Sequence, residues 1–233
     1  SECLVGSEMC IRDRQEFEAL VTRTHEVGLK VVLDFVPNHV ARQYHSDTAP
    51  EGVDDLGAHD NKEMHFSPSN NFYYIPRQAF TPQFYIGEGE DRYFEYPAKA
   101  TGNDCFGAFP GEYDWYETVK LNYGVDYTGG GRCHFDPIPD TWYKMLDILL
   151  FWCGKGADAF RCDMAHMVPV EFWNWAISKV KENYPSVIFI AEIYDQALYR
   201  VYIEKGKFDY LYDKVGLYDK SVSYTHLTLP TKR

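Results

Sequence analysis

Short apolar segments rich in β-branched residues alternate along this chain with segments of helical periodicity, and this alternation constrains the fold most strongly. The apolar segments cover residues 29–36, 157–162, 187–191 and 208–211. Segments of this composition are typical of buried parallel strands. Strands that alternate with helices predict either an open doubly wound sheet or a (β/α)8 barrel, so the sequence indicates an α/β fold.

The helices between these strands are predicted from apolar residues that recur three and four positions apart. The first begins near Gln15 and ends at Gly28, a residue type that is common at helix C-termini. Another opens at Pro169, where proline is favoured, and ends near Asn183. Two more are expected over residues 142–152 and 196–204.

One long segment breaks the alternation. Between His39 and about Pro139 lie roughly one hundred residues with scattered Gly, Pro, Asn and aromatic residues and without a helical period. A loop of that length without structure of its own is unusual in a compact domain, so we expect a small inserted subdomain. Its aromatic residues either line a binding site or form the core of the subdomain, and the second role is favoured for most of Phe72, Tyr73, Tyr74, Tyr93, Phe94, Trp115 and Tyr116.

Charge and composition exclude several classes of function. The 23 Lys and Arg residues stand against 35 Asp and Glu residues, and the net charge of −12 would repel phosphate backbones and anionic lipid, so no nucleic-acid partner is expected. No stretch approaches the roughly 20 apolar residues of a membrane-spanning helix, so no span is expected. Aromatic residues reach 17%, which suits stacking on a flat, hydroxylated ligand.

The two ends of the chain are related at the DNA level. Seven codons can be written for residues 8–14 whose reverse complement encodes residues 221–227. No structural constraint on a protein would produce such a match, and the pattern resembles a transposase-based sequencing adapter translated in frame. We therefore expect residues 1–14 and 221–233 to lie outside the natural protein.

Four of the six cysteines lie between these ends. Cys105 and Cys133 could pair in an oxidising compartment, whereas Cys153 and Cys162 lie on a predicted helix and strand and are expected to be small buried hydrophobic residues. The sequence leaves the disulfide open. No Cys or His cluster has the spacing of a zinc site, and there is no glycine-rich phosphate loop.

Polar side chains end the first three predicted strands. Asp34 lies near the end of the first, Arg161 and Asp163 share one face of the second by the period of two, and Glu192 ends the third. The carboxyl ends of parallel strands meet at one edge, which is where α/β sheets and barrels place their sites. One acid from each strand is therefore expected to converge there. Taken alone, an Asp-Arg pair at a strand end is a purely structural ion pair about as often as it is part of a functional site.

Three segments resemble, in order, the first three signature regions of the α-amylase family of glycoside hydrolases (glycoside hydrolase family 13). They are DFVPNH at 34–39, AFRCD at 159–163 and AEIYD at 191–195. The insertion after the first segment resembles the B domain of that family. The resemblance implies a partial (β/α)8 TIM barrel, about strands 3 to 6, with an inserted B domain after strand 3. Barrel helix 2 and strand 3 would occupy residues 15–39, the B domain 40–138, and barrel helix 3 to about strand 6 residues 139–220.

The resemblance implies that Asp163 is the catalytic nucleophile and Glu192 the general acid/base. A retaining glycosidase needs two carboxyl groups about 5 to 5.5 Å apart, and neighbouring strands lie about 4.8 Å apart, so adjacent strand ends can meet this requirement. Arg161 is expected to keep Asp163 ionised by a charge-assisted hydrogen bond. Glu192 must hold a proton near neutral pH, which a less polar setting would favour.

Other residues receive binding roles from the same resemblance. His39 would donate to a sugar hydroxyl, and Asp34 would brace the site. His166 falls where the family often has a substrate-contacting residue, and a hydrogen bond at a helix start is an equal alternative. Asn38 matches a position that commonly binds a structural calcium ion with oxygen ligands from the insertion, so Ca2+ is the one cofactor considered. Asn38 and His39 could instead be simple turn residues.

The implied function is a retaining glycoside hydrolase that cleaves α-1,4-type bonds in starch-like glucans or maltooligosaccharides, with the glucan as its partner. Alternatives are an α-glucan transglycosylase or disaccharide isomerase of the same family, or a non-catalytic glucan-binding relative. An extracellular or periplasmic location is favoured over a cytoplasmic one, and the oligomeric state is left open.

Parts of the family pattern have no counterpart in this sequence. No His-Asp pair follows Glu192 to supply the third carboxylate of the family, and the first two barrel strands have no counterpart either. An incomplete barrel exposes an apolar inner layer and unpaired strand edges. We therefore expect the polypeptide as written to be inactive and prone to aggregation.

Overall fold

The structure is a computed structural model that describes residues 7–46, 51–84 and 93–212, with side chains from residue 15 onward. Four helices are described: α1 (Ser7–Glu26), α2 (Asp140–Gly154), α3 (Val170–Asn183) and α4 (Tyr199–Glu204). The strands of the main sheet are β1 (Val32–Phe35), β8 (Ala159–Cys162), β9 (Ile188–Glu192) and β10 (Tyr210–Tyr212). Six shorter strands lie between β1 and α2: β2 (His39–Ala41), β3 (Tyr74–Ile75), β4 (Ala98–Lys99), β5 (Thr118–Lys120), β6 (Val125–Asp126) and β7 (Arg132–Cys133).

The main sheet is parallel, in the order β1-β8-β9-β10. Asp34 of β1 pairs in register with Arg161 of β8, and Cys162 of β8 pairs with Ala191 of β9. The α/β class with a parallel sheet, predicted from the alternation of apolar and helical segments, is confirmed.

Helix α1 begins earlier than the sequence predicts, at Ser7 rather than near Gln15. Residues 7–14 contain neither Gly nor Pro, so nothing in their composition stops the helix from extending across them. That residues 1–14 lie outside the natural protein stays a prediction. After the last helical turn the amide of Gly28 donates to the carbonyl of His25 at 2.9 Å, and Gly28 adopts a positive φ of 75°, as its position after the helix predicts.

The main core lies between the sheet and helices α2 and α3. Phe160 and Phe189 point from adjacent strands and stack with their ring centroids 5.5 Å apart. Trp173 of α3 is fully buried, and its Nε1 donates to the carbonyl of Ala165 at 3.0 Å. Leu149 of α2 is fully buried as well. These contacts fix the helices against one face of the sheet.

The opposite face of the sheet is open to solvent in the described part of the chain. Val32 is 50% exposed, Ile188 37% and Tyr210 59%, although each lies on a strand of the main sheet. Apolar residues on this face therefore have no covering layer among the described residues.

The segment between β1 and α2 contains three two-stranded antiparallel pairs, β2 with β5, β3 with β4 and β6 with β7. A small cluster of its own contains Ile75, Phe80, Ala98 and Ala108. Arg42 and Glu95 form a buried ion pair at 2.7 Å, and the Arg42 guanidinium lies 4.1 Å from the centroid of the Phe80 ring. Most aromatic residues of the segment between β1 and α2 are buried or half-buried, in agreement with the prediction that they form the core of a subdomain.

Cys105, Cys133, Cys153 and Cys162 are all free thiols, so the disulfide that the sequence left open does not form in this structure. Cys153 and Cys162 are buried, as predicted. Within the described ranges no helix is both long and apolar enough to cross a membrane.

Candidate active site

Arg161 lies at the centre of the carboxylates that the three strands bring together. Its Nη1 donates to Asp34 Oδ1 at 2.8 Å and to Asp163 Oδ1 at 2.9 Å, and its Nη2 lies 2.6 Å from Glu192 Oε2. Burial acts to lower the pKa of Arg161, but the three carboxylates outweigh burial and raise it. The predicted convergence of one acid from each strand is therefore present, with one guanidinium shared among them.

The pKa values of the two carboxyl groups are shifted in the directions opposite to those that the predicted roles require. Burial and the neighbouring carboxyl of Glu192 raise the pKa of Asp163 despite the charge of Arg161. Burial acts to raise the pKa of Glu192 too, but hydrogen bonds from Tyr194 and the Met164 amide, together with Arg161, outweigh burial and lower it. Arg161 acts to lower the pKa of Asp163, as predicted, but it does not outweigh burial and Glu192. The roles of Asp163 as the ionised nucleophile and of Glu192 as the proton donor stay predictions.

Two donors besides Arg161 hold the carboxylate of Glu192. The Tyr194 hydroxyl donates to Oε1 at 2.6 Å, and the amide of Met164 donates to Oε2 at 3.3 Å. Met164 has a positive φ of 45°, an unusual conformation for a residue with a side chain. Glu192 is only 2% exposed, so these donors satisfy a charge that has little contact with water.

An open cleft lies over these carboxylates. Besides Arg161, Asp163 and Glu192, the cleft is lined by His39, Trp115, Thr118, Met164 and Tyr194. The ring centroids of His39 and Trp115 are 5.4 Å apart, and burial, then the charge of Lys120, lowers the pKa of His39. The cleft therefore offers an aromatic face, a neutral imidazole and a pair of carboxyl groups.

The backbone of Trp115 is fixed by the insertion. Its amide donates to Asn103 Oδ1 at 3.2 Å, and Asn103 is itself bonded to Asp114 at 3.0 Å. The carbonyl of Trp115 accepts from the amide and the hydroxyl of Thr118 at 2.9 and 2.7 Å. The insertion thus holds the indole at the cleft.

The structure does not bring His166 to the wall of the cleft. His166 lies in a 3-10 helix (Ala165–Met167), and its Nδ1 is buried with no hydrogen-bond partner in the described part of the chain. Its ring centroid is 6.0 Å from that of Tyr194, so it lies behind a cleft residue. Its carbonyl accepts from the Tyr202 hydroxyl at 3.2 Å, which is a structural contact. A direct substrate role for His166 stays a prediction.

The surroundings of Asn38 do not fit a calcium ion. Asn38 is 1% exposed, and its Oδ1 accepts from the ammonium of Lys120 at 2.8 Å. The same ammonium lies 2.6 Å from Asp104 Oδ1, so the oxygens that a calcium ion would use already face a cation. No group of three or more His, Cys, Asp or Glu side chains suited to a metal is found among residues 7–46, 51–84 and 93–212.

Four residues that line the cleft were not predicted as site residues from the sequence: Trp115, Thr118, Met164 and Tyr194. Tyr194 carried a usable signal, because it lies two positions after Glu192 and so on the same face if the extended backbone continues. Trp115 carried none beyond its aromatic type, because its position depends on how strand β5 of the insertion pairs with β2.

The sequence matches curated proteins over part of their length, although no family model matches it. An α-1,4-glucan:maltose-1-phosphate maltosyltransferase of Corynebacterium pseudotuberculosis is 37% identical over 224 residues, which cover 94% of this chain and 23% of that protein. The enzyme of the same name from Cereibacter sphaeroides is 40% identical over 91 residues, 36% of this chain and 15% of that protein. The chain therefore spans less than a quarter of the length of these relatives.

Solved structures share the fold. The maltogenic amylase from S. marinus superposes with a TM-score of 0.54 at 20% identity, over 93% of this chain and 29% of that chain. The type III pullulan hydrolase from Thermococcus kodakarensis gives a TM-score of 0.51 at 20% identity, over 85% of this chain and 27% of that chain. These likenesses show the shared fold, and the three signature segments with the 37% identity over 94% of this chain show that the chain belongs to the α-amylase family of glycoside hydrolases.

Proposed function

We propose that this protein cleaves α-1,4-type glucosidic bonds in starch-like glucans or maltooligosaccharides by a retaining double displacement. Asp163 attacks the anomeric carbon, and Glu192 first protonates the leaving oxygen and then deprotonates water. The observation that carries the proposal is the convergence of both carboxyl groups on one guanidinium: Arg161 Nη1 donates to Asp163 at 2.9 Å, and its Nη2 lies 2.6 Å from Glu192. Retaining enzymes keep their two carboxyl groups about 5 to 5.5 Å apart and inverting enzymes about 6.5 to 9.5 Å, so two carboxyl groups that contact the same guanidinium favour retention.

The reaction needs the proton on Glu192 when the leaving oxygen departs, whereas in this structure the pKa of Asp163 is raised and that of Glu192 is lowered. Two interacting carboxyl groups titrate as a pair, so a change in the surroundings of either group alters the titration of both. A sugar placed over Asp163 changes the surroundings of both groups. Arg161 Nη1 donates to Asp163 at 2.9 Å, and its positive charge stabilises the ionised nucleophile.

Substrate binding is assigned to cleft residues other than the carboxylates. The indole of Trp115 offers a flat apolar face on which a glucosyl ring stacks, and His39 offers a ring nitrogen to a sugar hydroxyl. Asp34 holds Arg161 from the neighbouring strand at 2.8 Å and so braces the site, as the resemblance implies.

A second candidate is glycosyl transfer, because the curated relatives are named as maltosyltransferases that act on maltose 1-phosphate and α-1,4-glucan. The same two carboxylates serve both reactions, which differ in the donor that is cleaved and in the acceptor of the glycosyl unit. Incubation with maltose 1-phosphate and a glucan distinguishes the two candidate functions. Transfer releases inorganic phosphate and lengthens the glucan, whereas hydrolysis of maltooligosaccharides releases new reducing ends.

We also propose that the main sheet is part of a (β/α)8 barrel, about strands 3 to 6, and that β2 to β7 belong to an inserted B domain. The exposure of Val32, Ile188 and Tyr210 supports this, because these positions would face the interior of a closed barrel. The third carboxylate of the family has no counterpart after Glu192. The residues present here are therefore expected to be inactive without the rest of the barrel.

The test uses the full-length protein with maltooligosaccharides, and proton NMR follows the anomer that is released first. An α-anomeric first product is expected, and a β-anomeric product would refute retention. Asp163→Asn is expected to abolish product formation, which excludes a contaminating activity. Glucan binding with no turnover of either donor would favour the non-catalytic alternative.

A further inference from the structure

Lys120 is a buried lysine whose ammonium lies where the family resemblance places a calcium ion. The residue is 1% exposed, and its Nζ lies 2.6 Å from Asp104 Oδ1 and 2.8 Å from Asn38 Oδ1. The same Nζ lies 5.3 Å from the centroid of the Tyr127 ring, within range of a cation–π contact. Burial lowers the pKa of Lys120, and the charge and hydrogen bond of Asp104 oppose this shift. The two oxygen partners and the aromatic face stabilise the ammonium, and a second cation beside it would be repelled.

The ammonium determines which way the amide of Asn38 faces. A lysine ammonium has three donors and no acceptor, so the amide atom that faces it must be the oxygen. Nδ2 then faces the carbonyl oxygen of Gly102 at 2.7 Å, which only accepts, and Nδ1 of His39 at 3.3 Å. The lysine and the carbonyl thus require the same orientation of one buried amide.

The orientation of Asn38 in turn determines the proton of His39. A ring nitrogen that faces an N–H donor acts as the acceptor, so the single proton of the neutral ring lies on Nε2. His39 pairs in register with Lys120 across strands β2 and β5. A Cβ on Gly102 would come within 2.9 Å of the Cβ of His39, so the loop that Asn38 binds passes directly against the histidine.

We propose that Lys120 is the built-in cation of this site and a positioning residue for His39. Its ammonium replaces a metal ion, orients the amide of Asn38, and through that amide holds His39 in the tautomer that donates from Nε2. The identity of the acceptor, a glucan hydroxyl, rests on the proposed function. The expected lack of a metal requirement and the expected tautomer of His39 do not depend on the proposed function.

The first test uses the unaltered full-length protein. Thermal melting with EDTA and with added CaCl2 is expected to give the same midpoint, and long-range 15N NMR is expected to show His39 protonated at Nε2, with His39→Gln assigning the signal. A melting midpoint that falls in EDTA and returns with calcium would overturn the proposal that the ammonium of Lys120 replaces a metal ion. A proton on Nδ1 would overturn the tautomer. Both readouts are independent of catalysis, so they stand even if the protein turns over no glucan.

The second test compares Lys120→Met with Lys99→Met, a matched change in the same insertion. Lys99 contacts Glu95 at 3.3 Å and does not touch Asn38. Lys120→Met is expected to raise KM for maltooligosaccharides by about tenfold with a smaller change in kcat, the size of one weakened hydrogen bond to a ligand, and to give a mixed His39 tautomer. A folded Lys120→Met protein with the KM and the tautomer of Lys99→Met would refute the positioning role. If Lys120→Met does not fold, the melting and NMR measurements on the unaltered protein still test the metal requirement and the tautomer of His39.

Discussion

The hydroxyl of Tyr194 donates a hydrogen bond to Glu192 Oε1 at 2.6 Å, two positions after the end of strand β9. This hydrogen bond and the burial of the hydroxyl raise the pKa of Tyr194 to about 12, so the phenol stays protonated near neutral pH. Its donation stabilises the carboxylate of Glu192 and helps to lower the pKa of that group. Tyr194 therefore adjusts the acid strength of the proposed general acid.

Tyr194→Phe is expected to shift the alkaline limb of the pH–rate profile to higher pH. The protonated form of Glu192 is the active acid, so activity is lost as the pH rises through its pKa. Without the donor, the carboxylate is less stable and the pKa is higher. The profile of kcat/KM against pH measures this, with the exposed Tyr143→Phe as control. An alkaline limb that stays in place or moves to lower pH contradicts the assignment.

Glu192→Gln is expected to reduce kcat on maltooligosaccharides by about 10²- to 10⁴-fold, the contribution of a positioned general acid. Glucan affinity, measured by isothermal titration calorimetry, should stay within a few-fold, because the amide keeps the shape of the side chain. Glu182→Gln is the control, since Glu182 is exposed and pairs only with Lys179 among the ion pairs of the described residues. Activity of Glu192→Gln close to that of this control would remove Glu192 from its role.

Trp115→Ala is expected to raise KM for maltooligosaccharides by about tenfold, because the glucosyl ring loses its stacking face. kcat should change less, since the carboxylates are untouched. Tyr113→Ala is the matched control, because Tyr113 lies two positions away and is 90% exposed. Steady-state kinetics of the two variants decide the matter, and equal KM values would place Trp115 outside the binding site.

Trp173→Ala is expected to lower the free energy of unfolding by about 3 to 5 kcal/mol, the usual cost of truncating a large buried aromatic side chain. Trp173 is fully buried against Phe35 and Phe208. The exposed Val27→Ala should change stability by less than about 0.5 kcal/mol. Urea denaturation of both variants measures the difference. A Trp173 variant as stable as the control would show that this core does not hold the sheet.

Local patterns were enough to place the main strands and helices. The strand predicted at 157–162 is observed as Ala159–Cys162, and that predicted at 187–191 as Ile188–Glu192. These segments are apolar and bounded by Gly or Pro, so their structure depends on residues close by in the sequence. The period of two along each strand also predicted that Asp34, Asp163 and Glu192 converge at one edge.

The sequence alone determined the α/β class, the order of the elements and the acids at the strand ends, because each is encoded over a few neighbouring residues. Only the tertiary structure decided that one guanidinium contacts Asp34, Asp163 and Glu192 together, that Trp115 lines the cleft, and that the ammonium of Lys120 contacts Asn38. Lys120 and Asn38 are 82 residues apart, and they meet because strand β5 of the insertion pairs with β2, which begins one residue after Asn38. Protonation and cation binding depend on such distant neighbours, through burial and charge, and these are absent from any local pattern.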